Sequence, residues 1–233
     1  LYRTARHRAF FEQLKLQFVD NGYFLTEQLI NALEFGVPQD RERIILIGVR
    51  QEIAENLNLQ IEGTSLIDFP WDEHKLYNIE DIKAINWPER SPYVEHSELP
   101  VPLGIIEELT VQHWWDMNDV LHHPNADMFF QPRAGLIRFQ TTDEGDDKKK
   151  SYKRLHRWRY SPTVAYGNNE VHIHPYEARR ISIAEALALQ SLPREFVIPH
   201  NITLTDAFKT IGNGVPYLAA RGIANSLYDY LTH

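Results

Sequence analysis

Asn31-Ala32-Leu33-Glu34-Phe35-Gly36-Val37-Pro38-Gln39-Asp40-Arg41-Glu42-Arg43 is the most informative run in the chain. It begins where a β-rich run, Tyr23 to Asn31, ends. It turns at a glycine and a proline and delivers two arginines to the start of Ile44-Ile45-Leu46-Ile47-Gly48-Val49. That last run is short and apolar, as a buried strand requires. Upstream, Phe10, Phe11, Leu14 and Phe18 recur at helical spacing. Asn21-Gly22 ends this helix, because glycine accepts the left-handed conformation of a C-cap. Helix, strand, turn, strand suits one edge of an α/β sheet.

Composition sets the bounds. The 233 residues allow one large domain or two smaller ones, and 43% hydrophobic content can bury a sizeable core. There is no cysteine, which excludes disulfides, thiolate metal sites and thiol catalysis by this chain. No apolar run is long enough to span a bilayer and no secretory signal follows Leu1, so the simplest expectation is a soluble, intracellular chain. The net charge of -8 argues against nucleic acid if taken alone. Its distribution argues otherwise. Acidic residues dominate from Glu62 to Asp119, whereas Lys148, Lys149, Lys150, Lys153, Arg154, Arg157 and Arg159 form a basic stripe able to meet phosphate locally.

Periodicity weakens from about Gln51 to Arg159, where prolines at 70, 88, 92, 100, 102, 124 and 132 interrupt it. All five tryptophans lie in that stretch, so it reads as an irregular domain and not a disordered linker. Thr141 to Lys150 reads as its mobile loop. The last segment is helical: Ser182-Ile183-Ala184-Glu185 has the form of a capping box, Thr205 is the expected cap of a further helix, and Pro216 suits the start of the final one. His122-His123 and His172-x-His174 have no cysteine partners and no helical pairing, so no metal site is expected.

Three of these stretches resemble motifs of the cytosine-5 DNA methyltransferases, in the family's order. Gly36 to Arg43 resembles the eighth, Pro-Gln-x-Arg-x-Arg. Arg179 to Pro193, with Leu189-Gln190-Ser191-Leu192-Pro193 at its end, resembles the ninth. Ile211-Gly212-Asn213-Gly214-Val215-Pro216 is similar to the tenth. Two departures stand out: Ala184 and Ala188 occupy places where the ninth motif often has arginines, and Gly214 replaces the more usual alanine or serine. The family's Gly-rich loop, Pro-Cys nucleophile and Glu-Asn-Val motif are not in these residues. The resemblance therefore implies the C-terminal portion of such an enzyme, starting just past Glu-Asn-Val. It implies an α/β fold: the C-terminal edge of an S-adenosylmethionine-dependent, Rossmann-like methyltransferase domain, plus a smaller, irregular, mainly β target-recognition domain. The expected boundaries are 1–55 for the catalytic edge, 56–198 for target recognition, and 199–233 for helices returning to the catalytic domain.

The same resemblance implies partners and roles. Double-stranded DNA would be the substrate, in the cytoplasm of a bacterium with a restriction-modification system. S-adenosylmethionine would be shared with an N-terminal catalytic half, in the same chain or as a separate subunit. A cytosine inside a duplex must be flipped out to be reached, and in the family a cysteine thiolate then adds to its ring. Arg43 is the residue expected at the flipped base and Arg41 at the phosphates beside it, since arginine is always charged and offers a planar fork of donors. Gln39 would tie the turn together or fill the space the base leaves. Asn213, Gly214 and Val215 would shape the cofactor pocket. Lys153, Arg154, Arg157, Arg159, Thr163, Tyr166, Asn168 and Asn169 would face DNA, the cations for affinity and the amides for base edges.

Plainer readings stay open beside these. Arg41 and Arg43 also suit surface charges flanking a strand, Glu185 suits a helix cap, and Gly212-Asn213-Gly214 suits an ordinary turn. Arg179 and Arg180 suit either phosphate or a salt bridge. Two further functions compete: a non-catalytic, sequence-specific DNA-binding module derived from the family, and part of an RNA cytosine methyltransferase.

Overall fold

The computed structural model describes residues 5–132, 136–149, 151–164, 166 and 170–232. In chain order its elements are α1 (Ala5–Asp20), β1 (Tyr23–Asn31), β2 (Gln39–Asp40), β3 (Glu42–Arg50), α2 (Gln51–Asn56), β4 (Ile61–Glu62), β5 (Ser65–Leu66), α3 (Ile79–Ala84), α4 (Val111–Met117), α5 (Leu136–Thr141), β6 (Ser161–Pro162), α6 (Ile183–Leu189), α7 (Leu204–Asn213) and α8 (Tyr217–Thr232). The chain divides into two compact units, Leu1–Ile30 with Glu42–Lys75 and Gly222–His233, and Asn31–Arg41 with Leu76–Arg221. These do not follow the expected boundaries. The Asn31–Arg41 turn leaves its flanking strands for the second unit, because its buried side chains pack there.

The first unit is a sheet of order β3-β1-β5-β4. β1 and β5 run parallel through Leu25↔Ser65, and β4 and β5 pair antiparallel. α1 ends at Gly22 as its sequence requires: φ is +81°, and the Gly22 N–H donates to Val19 carbonyl at 2.9 Å. Of the four α1 residues read at helical spacing, Phe11 is buried and Leu14 half-buried, while Phe10 and Phe18 are exposed. The core here is Val49, Ala54 and Leu66, closed by Phe24, Leu59, Ile61, Tyr230 and Leu231. Polar joints fix α8 to it: Tyr230 Oη donates to Ile67 carbonyl at 3.0 Å and Ser226 Oγ to Pro70 carbonyl at 2.8 Å.

The second unit is not mainly β, against expectation. Among the described residues its strands are β2 and β6, two residues each and paired parallel, together with isolated bridges such as Ser91↔Glu144 and Arg154↔Ile173. The prolines between 88 and 132 explain this, since each removes a ladder donor. Apolar helix faces build the core instead. Trp114 and Trp115 of α4 pack with Ile183, Ala186 and Leu187 of α6 and with Phe208 and Ile211 of α7. A smaller cluster joins Leu33 to Ile82 and Leu109. The Ser182–Glu185 capping box forms as read. The cap of α7 is Thr203, whose side chain accepts from Asp206 N–H, and not Thr205. No helix among the described residues is long and apolar enough to cross a membrane.

Candidate base- and cofactor-holding site

The Asn31–Arg41 turn is built around Asn31. Its Oδ1 accepts from Leu33 N–H at 3.1 Å and Arg41 N–H at 3.3 Å, its Nδ2 donates to Asp40 Oδ1 at 2.7 Å, and its own N–H donates to Glu34 Oε2 at 2.8 Å. Asn31 and Glu34 thus cap the short helix Ala32–Phe35 reciprocally. Gly36 leaves that helix at φ +83°, where a side chain would be strained and would also meet Leu76 at 3.1 Å. Asn31 was legible only as a strand end. The signal it carried was Asn three residues before Glu, a capping pattern.

Two expected site residues point inward. Gln39 is fully buried, and its Nε2 donates to Leu189 carbonyl at 3.2 Å. Arg41 is 3% exposed. Its Nη1 donates to Val164 carbonyl at 3.2 Å, and its Nη2 donates to Gly212 carbonyl at 2.9 Å and Gly214 carbonyl at 3.1 Å. Arg41 is therefore a brace and not a phosphate contact, because its fork is spent on backbone carbonyls. Buried Gln39 ties the turn to Leu189 through its side chain. The ninth and tenth motifs are braced in turn. Gln190 Nε2 donates to Ile211 carbonyl at 2.8 Å, while Tyr217 N–H donates to Gln190 carbonyl and Leu218 N–H to Ser191 Oγ. The three motifs, far apart in sequence, form one hydrogen-bonded frame within the second unit.

Asn213, Gly214 and Val215 lie at the end of α7 and face solvent. They are accessible, and Arg41 holds the Gly212 and Gly214 carbonyls of the same turn. The Gly214 N–H is not available to a carboxylate, because it donates to Thr210 and Ile211 carbonyls at 3.1 and 3.2 Å. Arg43 belongs to the first unit, at the start of β3. It is exposed, and its guanidinium donates to Glu42 carbonyl at 2.6 Å.

The basic stripe is mostly structural. Arg154 is 0% exposed: Nε donates to Thr142 carbonyl at 2.8 Å, Nη1 to the carbonyls of His174, Pro175 and Glu177, and Nη2 to that of Phe139. The guanidinium also lies 3.9 Å from the centre of the Tyr93 ring. Arg157 is buried against Glu144, with both Oε1 and Oε2 accepting from it at 2.9 Å. Arg159 is paired with Asp147 at 2.6 Å. Tyr166 is buried, and half-buried Thr163 donates to Asp40 carbonyl. Arg154, Arg157, Arg159 and Tyr166 are thus not DNA-facing: their donors or surfaces are satisfied inside the unit. Within Thr141 to Lys150, read as a mobile loop, Glu144 and Asp146 are buried and ion-paired. Lys153 is half-buried. Asn168, Asn169 and Lys150 lie outside the described residues.

Glu185 caps α6 and also closes a buried ion cluster. Its oxygens accept from Arg179 at 2.7 and 2.9 Å and from Ser182 N–H at 2.6 Å, with His174 Nε2 at 3.5 Å. Burial alone would raise its carboxyl, but His174 and Arg179 outweigh that and hold it down to about 2. Arg179 thus takes the salt-bridge reading. Arg180 Nη1 donates to Val171 carbonyl at 2.6 Å.

Two other buried histidines are held neutral. Burial takes His172 down to about 3, with Lys153 and Arg180 adding repulsion. Burial likewise takes His156 down to about 4, Glu144 opposing and Arg159 and Arg157 reinforcing. Their ordinary value is 6.5. Below it the unfolded chain takes up protons that the folded chain refuses, so their contribution is complete above pH 6.5 and falls as pH drops. Each histidine is expected to cost about 1.4 kcal/mol per pH unit in that window. Melting temperatures from pH 7.5 to 5 should fall accordingly, with a shallower slope in His172→Gln; an unchanged slope in a folded variant would contradict the assignment.

Comparison with known proteins places the chain. It belongs to the C-5 cytosine-specific DNA methylase family, whose model matches residues 2–229. The chain is 58% identical to the type II methyltransferase M.NmeDI of Neisseria meningitidis serogroup C over 99% of its own length and 52% of that protein's. It is 25% identical to the type II methyltransferase M.MthTI of Methanothermobacter thermautotrophicus over 96% of its length and 62% of the other's. The chain thus spans about half to three fifths of these curated relatives. Among solved structures, one described as a DNA modification methyltransferase encoded within an E. coli prophage superposes with a TM-score of 0.59. Its identity is 21%, with 99% of this chain and 67% of that one covered, so the likeness is one of fold.

Proposed function

We propose that these residues form the target-recognising and base-holding part of a DNA (cytosine-5)-methyltransferase of a restriction-modification system. In this reading the cysteine nucleophile and the Gly-rich cofactor loop are supplied by an N-terminal half. The observation that carries it is the frame just described: Gln39 and Arg41 of the eighth motif hydrogen-bond to Leu189 of the ninth and to Gly212 and Gly214 of the tenth. Stretches that merely resembled motifs by chance would have no reason to converge.

S-adenosylmethionine, when bound, supplies the methyl group. Asn213, Gly214 and Val215 would form one wall of its pocket. Arg43 is the exposed arginine of the motif and keeps the base-holding role: its fork would donate to the flipped cytosine and stabilise charge that builds on the ring as the thiolate adds. Arg41 supports the frame from behind.

Arg43→Ala separates these roles. In the full-length enzyme its turnover is expected to fall by about 100-fold or more, with duplex affinity changed by less than about threefold. Single-turnover methylation and duplex binding measure the two. Equal losses in both, or none in either, would remove Arg43 from the base.

A further inference from the structure

α5 is six residues long, too short to keep its shape in water unaided. The second unit grips it from one side. Phe139 is buried, its ring edge-to-face with that of Tyr152 at 5.8 Å and 5.7 Å from the Arg180 guanidinium. Wholly buried Arg154 closes the C-terminal end, donating through Nη2 to Phe139 carbonyl and through Nε to Thr142 carbonyl. A cation there also complements the helix dipole. The opposite face is bare. Leu136, Ile137, Gln140 and Thr141 share it at helical spacing and are all exposed, Ile137 to 73%. Thr141 Oγ is spent on Ile137 carbonyl at 2.8 Å. The Gln140 amide has no partner among the described residues. A buried charge thus fixes a helix whose outer face touches nothing.

Charge selects what meets that face. From Ser91 to Pro132 the chain has no lysine or arginine, so exposed Leu103 and Leu121 lie in acidic sequence. Around α5 the balance turns. Asp143, Glu144, Asp146 and Asp147 are taken by Arg90, Arg157, Lys149 and Arg159 in that order. Arg138, Lys148 and Lys153 have no carboxylate partner among the described residues. The Arg138 guanidinium lies 5.0 Å from the centre of the Tyr152 ring, which keeps it beside α5. A braced helix with unspent cations on its flank and a free amide on its face is complementary to a nucleic-acid groove.

We infer that α5 enters the major groove of the target duplex, where Gln140 reads one base pair while Arg138, Lys148 and Lys153 hold phosphates. The inference rests on the function proposed above, which makes duplex DNA the substrate. The major groove admits a helix, and an amide brings both a donor and an acceptor to a base edge.

The full-length enzyme is given S-adenosylmethionine and a pool of duplexes of randomised sequence, and sequencing after bisulfite conversion shows which sites are methylated. Gln140→Ala puts a strong helix former at an exposed position, so its melting temperature should stay within about 2 °C of the parent's. Its preference should relax by about tenfold or more at one base pair and hold at the others. Lys148→Ala should do the converse: every preference is kept, and the slope of log affinity against log salt falls by about one. An unchanged preference in Gln140→Ala, or an even loss at every position, overturns the inference, as does an unchanged salt slope in Lys148→Ala. A parent enzyme that methylates no duplex overturns the functional reading beneath it instead.

Discussion

Arg154→Met is expected to destabilise the chain by about 4 kcal/mol or more, from the loss of charge-assisted hydrogen bonds to buried acceptors. Arg154 is wholly buried and donates to the carbonyls of Phe139, Thr142, His174, Pro175 and Glu177. No carboxylate is paired with it among the described residues. Burial lowers the guanidinium to about 10, partly offset by Tyr93 and the acids around it, but it stays charged at neutral pH. Methionine would fill much of the volume and satisfy none of the carbonyls, four of which belong to buried residues, Phe139, Thr142, His174 and Pro175. At 2–4 °C per kcal/mol for a chain of this size, the melting temperature should drop by roughly 8–16 °C. A drop under about 3 °C would mean that Arg154 is not the internal brace of the Phe139–Glu177 region.

Glu185→Gln should cost about 2 kcal/mol or more, because half-buried Arg179 loses its buried carboxylate partner and keeps Glu177 alone among the described residues. The substitution also turns an amide donor toward groups that all donate: Arg179, Ser182 N–H and His174. pH dependence gives the change a signature of its own. The ordinary value is 4.5 and the folded value about 2. The folded carboxylate resists protonation, so its contribution is present above pH 4.5 and is lost as pH falls toward 2. Denaturant midpoints measured from pH 5 to 3 should therefore decline less steeply in the variant than in the parent chain. Parallel declines would place the stabilising charge elsewhere.

The ends of the chain were legible because their information is local. Asn21-Gly22 stops α1, Ser182 and Glu185 cap α6, and Ile44 to Val49 form part of β3, all through residues within a few positions of one another. The middle was not, because the partners there are remote. Arg157 reads as a free cation until Glu144 and Ser97 are seen beside it, and Arg159 until Asp147 and the Pro88 carbonyl are. A basic stripe in sequence became the inside of an ion-pair network. The Arg41-x-Arg43 pair shows the same limit within three residues. Arg41 falls between β2 and β3 and turns inward to carbonyls from positions 164, 212 and 214, whereas Arg43, on β3, stays exposed. The family resemblance put both arginines in one motif; only the carbonyls that accept from Arg41 told them apart.

On the function proposed above, these residues hold base, DNA and cofactor, and the cysteine nucleophile comes from an N-terminal half. Transfer of a radiolabelled methyl group from S-adenosylmethionine to unmethylated duplex DNA tests it most directly, with the 233-residue chain assayed alone and together with an N-terminal half bearing the Pro-Cys motif. No transfer is predicted for the chain alone, and transfer is predicted for the combination, abolished when that cysteine is changed to serine. Methylation of cytosine by the purified chain alone would contradict the account.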